Sequence, residues 1–199
     1  MVISLGVYLT LLAAIAIERL FEVLLSARNT RRALAAGGVE SGQRHYPLII
    51  ILHTLFIISA AGEAIILKRP FPGGLGWIAV TGALLAQALR YWSIRTLGGR
   101  WTTRIIVLPN ATPMRAGPYR FVRHPNYLAV IVEIACVPLI HGCWLTAIVF
   151  SAANAGLLTL RIRTEEAALG RQYAIAFGNR PRFFPLKLRA TALSQPRHS

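Results

Sequence analysis

The chain is short of acid, short of cysteine, and without the motifs that mark soluble nucleotide-binding domains. Only 7 of its 199 residues are Asp or Glu, against 22 Lys and Arg, a formal net charge of +15. The two cysteines, Cys136 and Cys143, are too few for a disulfide framework. Both stand in apolar surroundings and are expected to act as small packing residues. The five histidines show no metal-ligand spacing, so no metal site is expected. No GxGxxG follows a strand pattern. The glycine-rich "PFPGGLG" at 70–76 has no strand before it and is expected to be a turn, not a phosphate loop. No basic n-region or small-residue cleavage site marks the N-terminus, so its apolar stretch is expected to be a retained membrane helix rather than a cleaved signal.

What the chain has in abundance is hydrocarbon. It is 55% hydrophobic with a mean hydropathy of +0.52. That excludes the soluble nucleic-acid binder that the charge alone would suggest. The apolar residues fall into five blocks, at about residues 2–25, 46–67, 75–97, 126–140 and 143–160. Most are near the 20 residues that span a bilayer. The fourth is short, about 22 Å as a helix. It is expected to form a tight hairpin with the fifth around His141-Gly142. The fold class expected is therefore an all-α integral membrane protein of about five transmembrane helices, without a Rossmann domain. Residues 1–97 hold the first three helices, 98–180 a cytoplasmic pocket with the hairpin, and 181–199 a cytoplasmic tail.

The basic residues give the orientation. All but Arg19, Lys68, Arg69 and Arg90 fall in 26–46, in 95–124 or beyond 160. By the positive-inside rule these segments are cytoplasmic and the N-terminus lies outside, consistent with an odd number of spans. Charges within spans each need a partner. Arg19 and Glu22 are expected to pair at i,i+3. Arg90 and Glu133 are expected to form an ion pair between the third and fourth helices, or to face a substrate. Glu63 is expected to reach the outer interface.

Two cytoplasmic segments carry the chemistry. "GPYRFVRHPNY" (117–127) brackets Arg120, Arg123 and His124 with prolines, and its aromatics offer faces to a purine or a cation. "RIRTEEAAL" (161–169) puts Arg161 with Glu165 at i,i+4 and Arg163 with Glu166 at i,i+3, if the fifth helix continues. "RHYP" (44–47) opens the second helix, with His53 two turns further on.

In order and spacing these segments resemble the isoprenylcysteine carboxyl methyltransferase family, over about residues 95–175. Its pattern of Gly-Pro-Tyr, Arg-His-Pro-x-Tyr, hydrophobic hairpin and Arg-Ile-x-x-Glu-Glu-x-x-Leu is reproduced. Ala129 stands where the family often has glycine. With "RHYPLIIILHTLF", "LRYWSIRTLGGRWTTRIIVLP" and "RHPNYLAVIVEIACVPL", the chain looks most like a bacterial branch that methylates alkylpyrones, alkylresorcinols and related polyketide lipids. The resemblance implies an O-methyltransferase using S-adenosylmethionine, with a lipid-like substrate in the membrane and no nucleic-acid partner. It implies that Tyr119, Arg123, His124, Pro125, Tyr127 and Glu165 line the cofactor pocket, with main-chain contacts from the extended 104–109 segment around Val107 and Leu108. Arg161 or Arg163 would orient an anionic oxygen, and Glu166 would orient an arginine or take a proton. His45 and His53 are the membrane-side bases, and His53, Arg90 and Glu133 are the candidate substrate residues. Rival expectations are prenylcysteine esterification, phospholipid N-methylation, an NADPH-dependent membrane reductase, and a small transporter working through Glu63, Arg90 and Glu133.

Overall fold

The computed structural model describes residues 3–109, 111–178 and 180–183. Five helices follow the five apolar blocks: α1 (Leu5–Ala35), α2 (Tyr46–Ile66), α3 (Gly74–Leu97), α4 (Pro125–Leu139) and α5 (Trp144–Phe177). α1 runs ten residues past its apolar block. "SARNTRRALA" contains good helix formers and no Gly or Pro, so hydropathy ends before the helix does. α5 likewise continues past residue 160, with a break at Gly170, whose φ of 67° is open to glycine.

α4 is as short as expected. Pro125 opens it at the first turn, where a missing N–H costs nothing, and Pro138 ends it. Gly142, at φ 67°, turns the chain into α5. Glu63 departs from expectation. It is buried rather than interfacial, and accepts from Thr146 N at 2.7 Å, Thr146 Oγ1 at 2.8 Å and Leu145 N at 3.3 Å. The carboxylate of α2 thus satisfies free N–H groups in the first turn of α5, where the helix dipole favours negative charge. Arg69 Nε donates to it from the other side at 3.0 Å.

The packed end of the bundle lies around the hairpin. α2 contributes Leu52, Phe56, Ala60 and Ala64, one four-residue stripe, against Val130, Ile134 and Val137 of α4. Tyr8 of α1 stacks on His141 with centroids 5.0 Å apart. Cys143 is fully buried and Cys136 partly so, both as free thiols in packing positions. α3 and α4 form the most extensive helix pair. Ala129 is fully buried, and at Gly82 the fit is tight: a Cβ there would lie 2.6 Å from Cys136 Sγ.

Outward faces carry a broad apolar surface, including Ile17, Phe21 and Leu24 on α1 and Ile78, Leu84 and Leu85 on α3. A soluble protein rarely leaves such a surface uncovered. Gln43–Ile66 and Trp144–Arg171 are long and apolar enough to cross a membrane. A second set of charges, on α1, α3 and α4, is matched across the three helices. Arg19 pairs with Glu22 at 2.6 Å and Glu18 at 3.0 Å, and Arg90 pairs with Glu133 and approaches Glu22 at 3.5 Å.

One element was not legible. β1 (Val39–Ser41) pairs antiparallel with β2 (Ile105–Val107), register Val39↔Val107, as a two-stranded ribbon at the end opposite the hairpin. The extended character expected around 104–109 is there; the partner strand just after α1 is the new observation.

Candidate functional site

The segment 98–127 folds over the open end of the bundle and is tied down from three directions. From the α1 extension, Asn29 Nδ2 donates to the carbonyl of Trp101 at 2.8 Å, and Ser26 Oγ accepts from Thr103 N at 2.8 Å. From α5, Arg161 Nη2 donates to the carbonyl of Thr103 at 2.6 Å. From beyond α5, the carbonyls of Pro181 and Arg182 accept from Arg123 N and His124 N, at 3.0 and 3.2 Å. Arg123 Nε donates to the carbonyl of Arg180 at 2.6 Å, while Arg180 Nη1 donates to that of Tyr119 at 2.7 Å. The start of the expected tail is therefore a strap that clamps 119–124.

Gly117 is required by its backbone. Its φ is +53°, and a Cβ would strike Thr96 Oγ1 and lie 3.1 Å from Trp92 Nε1. The short 3₁₀ turn it begins buries Tyr119. Burial, and behind it the Glu165 charge, pushes the Tyr119 phenol well above its ordinary pKa. Tyr173 is raised in the same way, by burial first and then by Glu165 and Glu166. Both phenols remain neutral donors. Arg120 lies over Phe121 at 4.4 Å and takes no part in the pocket.

Two chains of polar contacts follow. Tyr127 donates to the Glu165 carboxylate and accepts from Arg161 Nε at 2.8 Å, so the expected i,i+4 pair is bridged by a phenol. The His124 ring stacks on Tyr127 at 5.2 Å, and its Nε2 lies 3.1 Å from Glu166 Oε1. Glu166 is held further by Arg182 Nη2 at 2.6 Å. Arg163, spaced i,i+3 from Glu166, does not touch it; Arg163 is exposed.

Two cavities result. The first, about 460 Å³, lies under the ribbon and the strap, lined by β2, Val107, Leu108, Tyr119, Arg123, His124, Tyr127, Arg161, Glu165, Arg171 and Tyr173 among others. The second, about 550 Å³, is a laterally open cleft between α1, α2, α4 and α5, with an apolar lining that includes the exposed Leu20, Val23, Ile50 and Ile58, and with Arg19, Glu22, His53, Asn154 and, from α3, Arg90. Both volumes suit small molecules. The cavities share one wall: Trp101, Thr102, Asn126, Tyr127 and Arg161 line both.

The expected residues are thus sorted. Tyr119, Arg123, His124, Tyr127, Glu165, Val107 and Leu108 meet at the first cavity. His53 and Arg90 meet at the second, and Arg161 stands between. The remaining placements are these. Arg163 faces away, and Glu166 lies behind His124, lining neither cavity. His45 sits on the turn before α2 and also lines neither. Pro125 and Glu133 serve as a helix start and as the partner of Arg90. Arg123 gives most of its guanidinium to carbonyls of the strap. Asn126, Asn154, Trp101 and Tyr173 were missed. Asn126 alone had a usable signal, being enclosed by the His-Pro-x-Tyr motif.

The isoprenylcysteine carboxyl methyltransferase (ICMT) family profile matches residues 77–171, which takes in most of α3, the 3₁₀ turn at Gly117–Arg120, the hairpin and α5 as far as Arg171. The uncharacterized protein YpbQ of Bacillus subtilis (strain 168) is 38% identical over 166 residues, covering 83% of this chain and 97% of that protein. An uncharacterized protein of Haemophilus influenzae (strain ATCC 51907 / DSM 11121 / KW20 / Rd) is 29% identical, over 81% of this chain and 94% of its own.

The chain belongs to the isoprenylcysteine carboxyl methyltransferase family. Members of this family are membrane-embedded methyltransferases that use S-adenosylmethionine. The first cavity fits such a donor by its own chemistry. Tyr119, His124 and Tyr173 supply ring faces, and the Glu165 carboxylate favours a cation. Arg100 and Arg171 supply guanidiniums for a carboxylate, while Arg104 at the rim is held by Glu40 at 3.0 Å. β2 pairs with β1 on one edge only, leaving main-chain groups on the other.

Proposed function

We propose that this ICMT-family protein is an S-adenosylmethionine-dependent O-methyltransferase, acting inside the membrane on a lipid-like substrate with an acidic oxygen. A ring-headed polyketide lipid, an alkylpyrone or alkylresorcinol, is favoured over prenylcysteine. The observation that carries the proposal is the shared wall: a polar cavity on the basic face meets an apolar one at Asn126, Tyr127 and Arg161. Five crossings, N-terminus outside and strap cytoplasmic, put the polar cavity where a soluble donor reaches it. The apolar cavity then opens toward the acyl chains between α1 and α2.

When bound, S-adenosylmethionine would supply an electrophilic methyl group on a sulfonium for transfer to the acceptor oxygen. The protein's task is orientation and exclusion of water. Arg161 is fixed through Nε by Tyr127 and through Nη2 by Thr103, which leaves Nη1 to hold the anionic oxygen at the wall. Tyr127 is itself held by Glu165, so the acid positions Arg161 through the phenol. His124, fixed by Glu166 and stacked on Tyr127, completes the donor side.

The test is transfer of labelled methyl from S-adenosylmethionine to an extractable lipid by purified protein in detergent. Label appears in the lipid with wild type and not with Arg161→Met. Binding of NADPH without S-adenosylmethionine would replace the proposal with a reductase. Proton-coupled flux in liposomes lost in Glu133→Gln, without methyl transfer, would replace it with a transporter.

A further inference from the structure

The acceptor cavity has two polar levels, not one. On α2, Tyr46 and His53 both line it; on α5, Arg161 and Asn154 do. Each pair is seven residues apart, two helical turns or about 10 Å along the axis. α4 repeats the spacing with Asn126, at the wall, and Glu133, which holds the cavity-lining Arg90. Between the levels the lining is apolar: Ile49, Ile50, Val130, Leu157 and Leu158. The upper level is the wall shared with the donor cavity. The lower level has no role in what has been derived so far.

Apart from the Arg90–Glu133 pair, two side chains on this level have polar atoms to spare. Asn154 is 5% exposed, lines the cavity and makes no side-chain hydrogen bond among the described residues. His53 Nδ1 lies 2.9 Å from the carbonyl of Ile49. A carbonyl only accepts, so Nδ1 carries the proton and Nε2 of the neutral ring is an acceptor, without a protein partner among the described residues. The Asn154 amide and His53 Nε2 therefore face the cavity with hydrogen-bonding capacity that no described residue uses. Hydrocarbon offers them nothing.

Resting on the donor and acceptor cavities proposed above, we infer that His53 and Asn154 form a second recognition site, for a ring hydroxyl on the same lipid that is not itself methylated. The hydroxyl donates to His53 Nε2 and accepts from Asn154 Nδ2. The axial spacing of the two levels, about 10 Å, gives room for one ring with a hydrogen bond of about 3 Å on each side. The head group is a single ring with oxygens on both sides. One oxygen stands at Arg161, the other at His53 and Asn154, and the tail leaves sideways between α1 and α2. His53 and Asn154 are specificity-determining residues for this substrate class.

Two lipids with the same pentadecyl chain test this, one a resorcinol with two hydroxyls and one a phenol with one. Affinity is read from the rise in unfolding temperature of detergent-solubilised protein over a concentration series, with S-adenosylhomocysteine present. Wild type should bind the resorcinol at least tenfold more tightly, the scale of one buried hydrogen bond whose partners are otherwise unpaired. In Asn154→Leu and in His53→Phe the ratio should fall toward one, a change that general loss of structure would not produce. Equal affinities in wild type, no binding of either lipid, or an unchanged ratio in both variants would overturn the inference. Calorimetry with S-adenosylhomocysteine on the same preparation separates the two levels of failure. No cofactor binding refutes the methyltransferase proposal, whereas cofactor binding without a lipid preference refutes only the second site.

Discussion

Removing Arg90 should destabilise the protein far more than removing its partner Glu133. The buried network holds three carboxylates, Glu18, Glu22 and Glu133, and two guanidiniums, Arg19 and Arg90. Arg90→Met leaves three acids facing one base. Arg90 is 4% exposed, so water cannot compensate, and breaking a buried pair in this way costs about 3–5 kcal/mol. Glu133→Gln instead leaves two acids and two bases, and the amide oxygen still accepts from Arg90. Its cost should be that of a weakened hydrogen bond, about 1–2 kcal/mol. The pair Arg90→Met with Glu133→Leu should recover at least about 1 kcal/mol relative to the sum of singles, because the two side chains touch. The assay is equilibrium unfolding of each variant in one detergent, followed by far-ultraviolet circular dichroism. Additive losses, or Glu133→Gln as damaging as Arg90→Met, would refute the charge accounting and with it the claim that this network ties α1, α3 and α4 together.

Other outcomes follow from the site. Gly117→Ala should cost about 1 kcal/mol or more in stability and weaken cofactor binding, since the displaced turn carries Tyr119; a calorimetric titration checks both. Glu166→Gln should raise the KM for S-adenosylmethionine more than it lowers kcat, because Glu166 touches His124 rather than the reacting wall; the opposite split would return it to the chemistry. Arg163→Ala should retain turnover, measured by labelled-methyl transfer, because its side chain is exposed and outside both cavities. Tyr119 and Tyr173 have raised pKa values, so the folded state binds more protons than the unfolded state once free phenols ionise. Stability should therefore be flat through neutral pH and fall above about pH 10, and Tyr173→Phe should reduce that fall.

Much of this was legible because the bilayer imposes a simple code. Five apolar blocks became five helices, and the proline and glycine positions fixed the hairpin and the start of α4. The family resemblance, rather than spacing alone, pointed to His124, Tyr127 and Glu165, which the structure places on one cavity wall with Arg161. Helical spacing alone misled at Arg163 and Glu166, because i,i+3 proximity says nothing about a competing partner such as Arg182, which arrives from beyond α5. Glu63 looked interfacial by depth, but its role depends on which helix terminus faces it. The ribbon was hidden because three residues per strand are too few to show alternation. The second cavity was hidden for a different reason. Asn154 reads as one amide in an apolar run, and only the packing of α2 against α5 puts it on the level of His53.

The most direct test is calorimetric titration of the purified, detergent-solubilised protein with S-adenosylmethionine, alongside His124→Ala and Tyr119→Ala. One molecule should bind per chain, and both variants should bind at least about tenfold more weakly, each having lost a buried contact in the donor cavity. Absence of binding in wild type, or equal binding in both variants, would contradict the assignment of that cavity to the methyl donor.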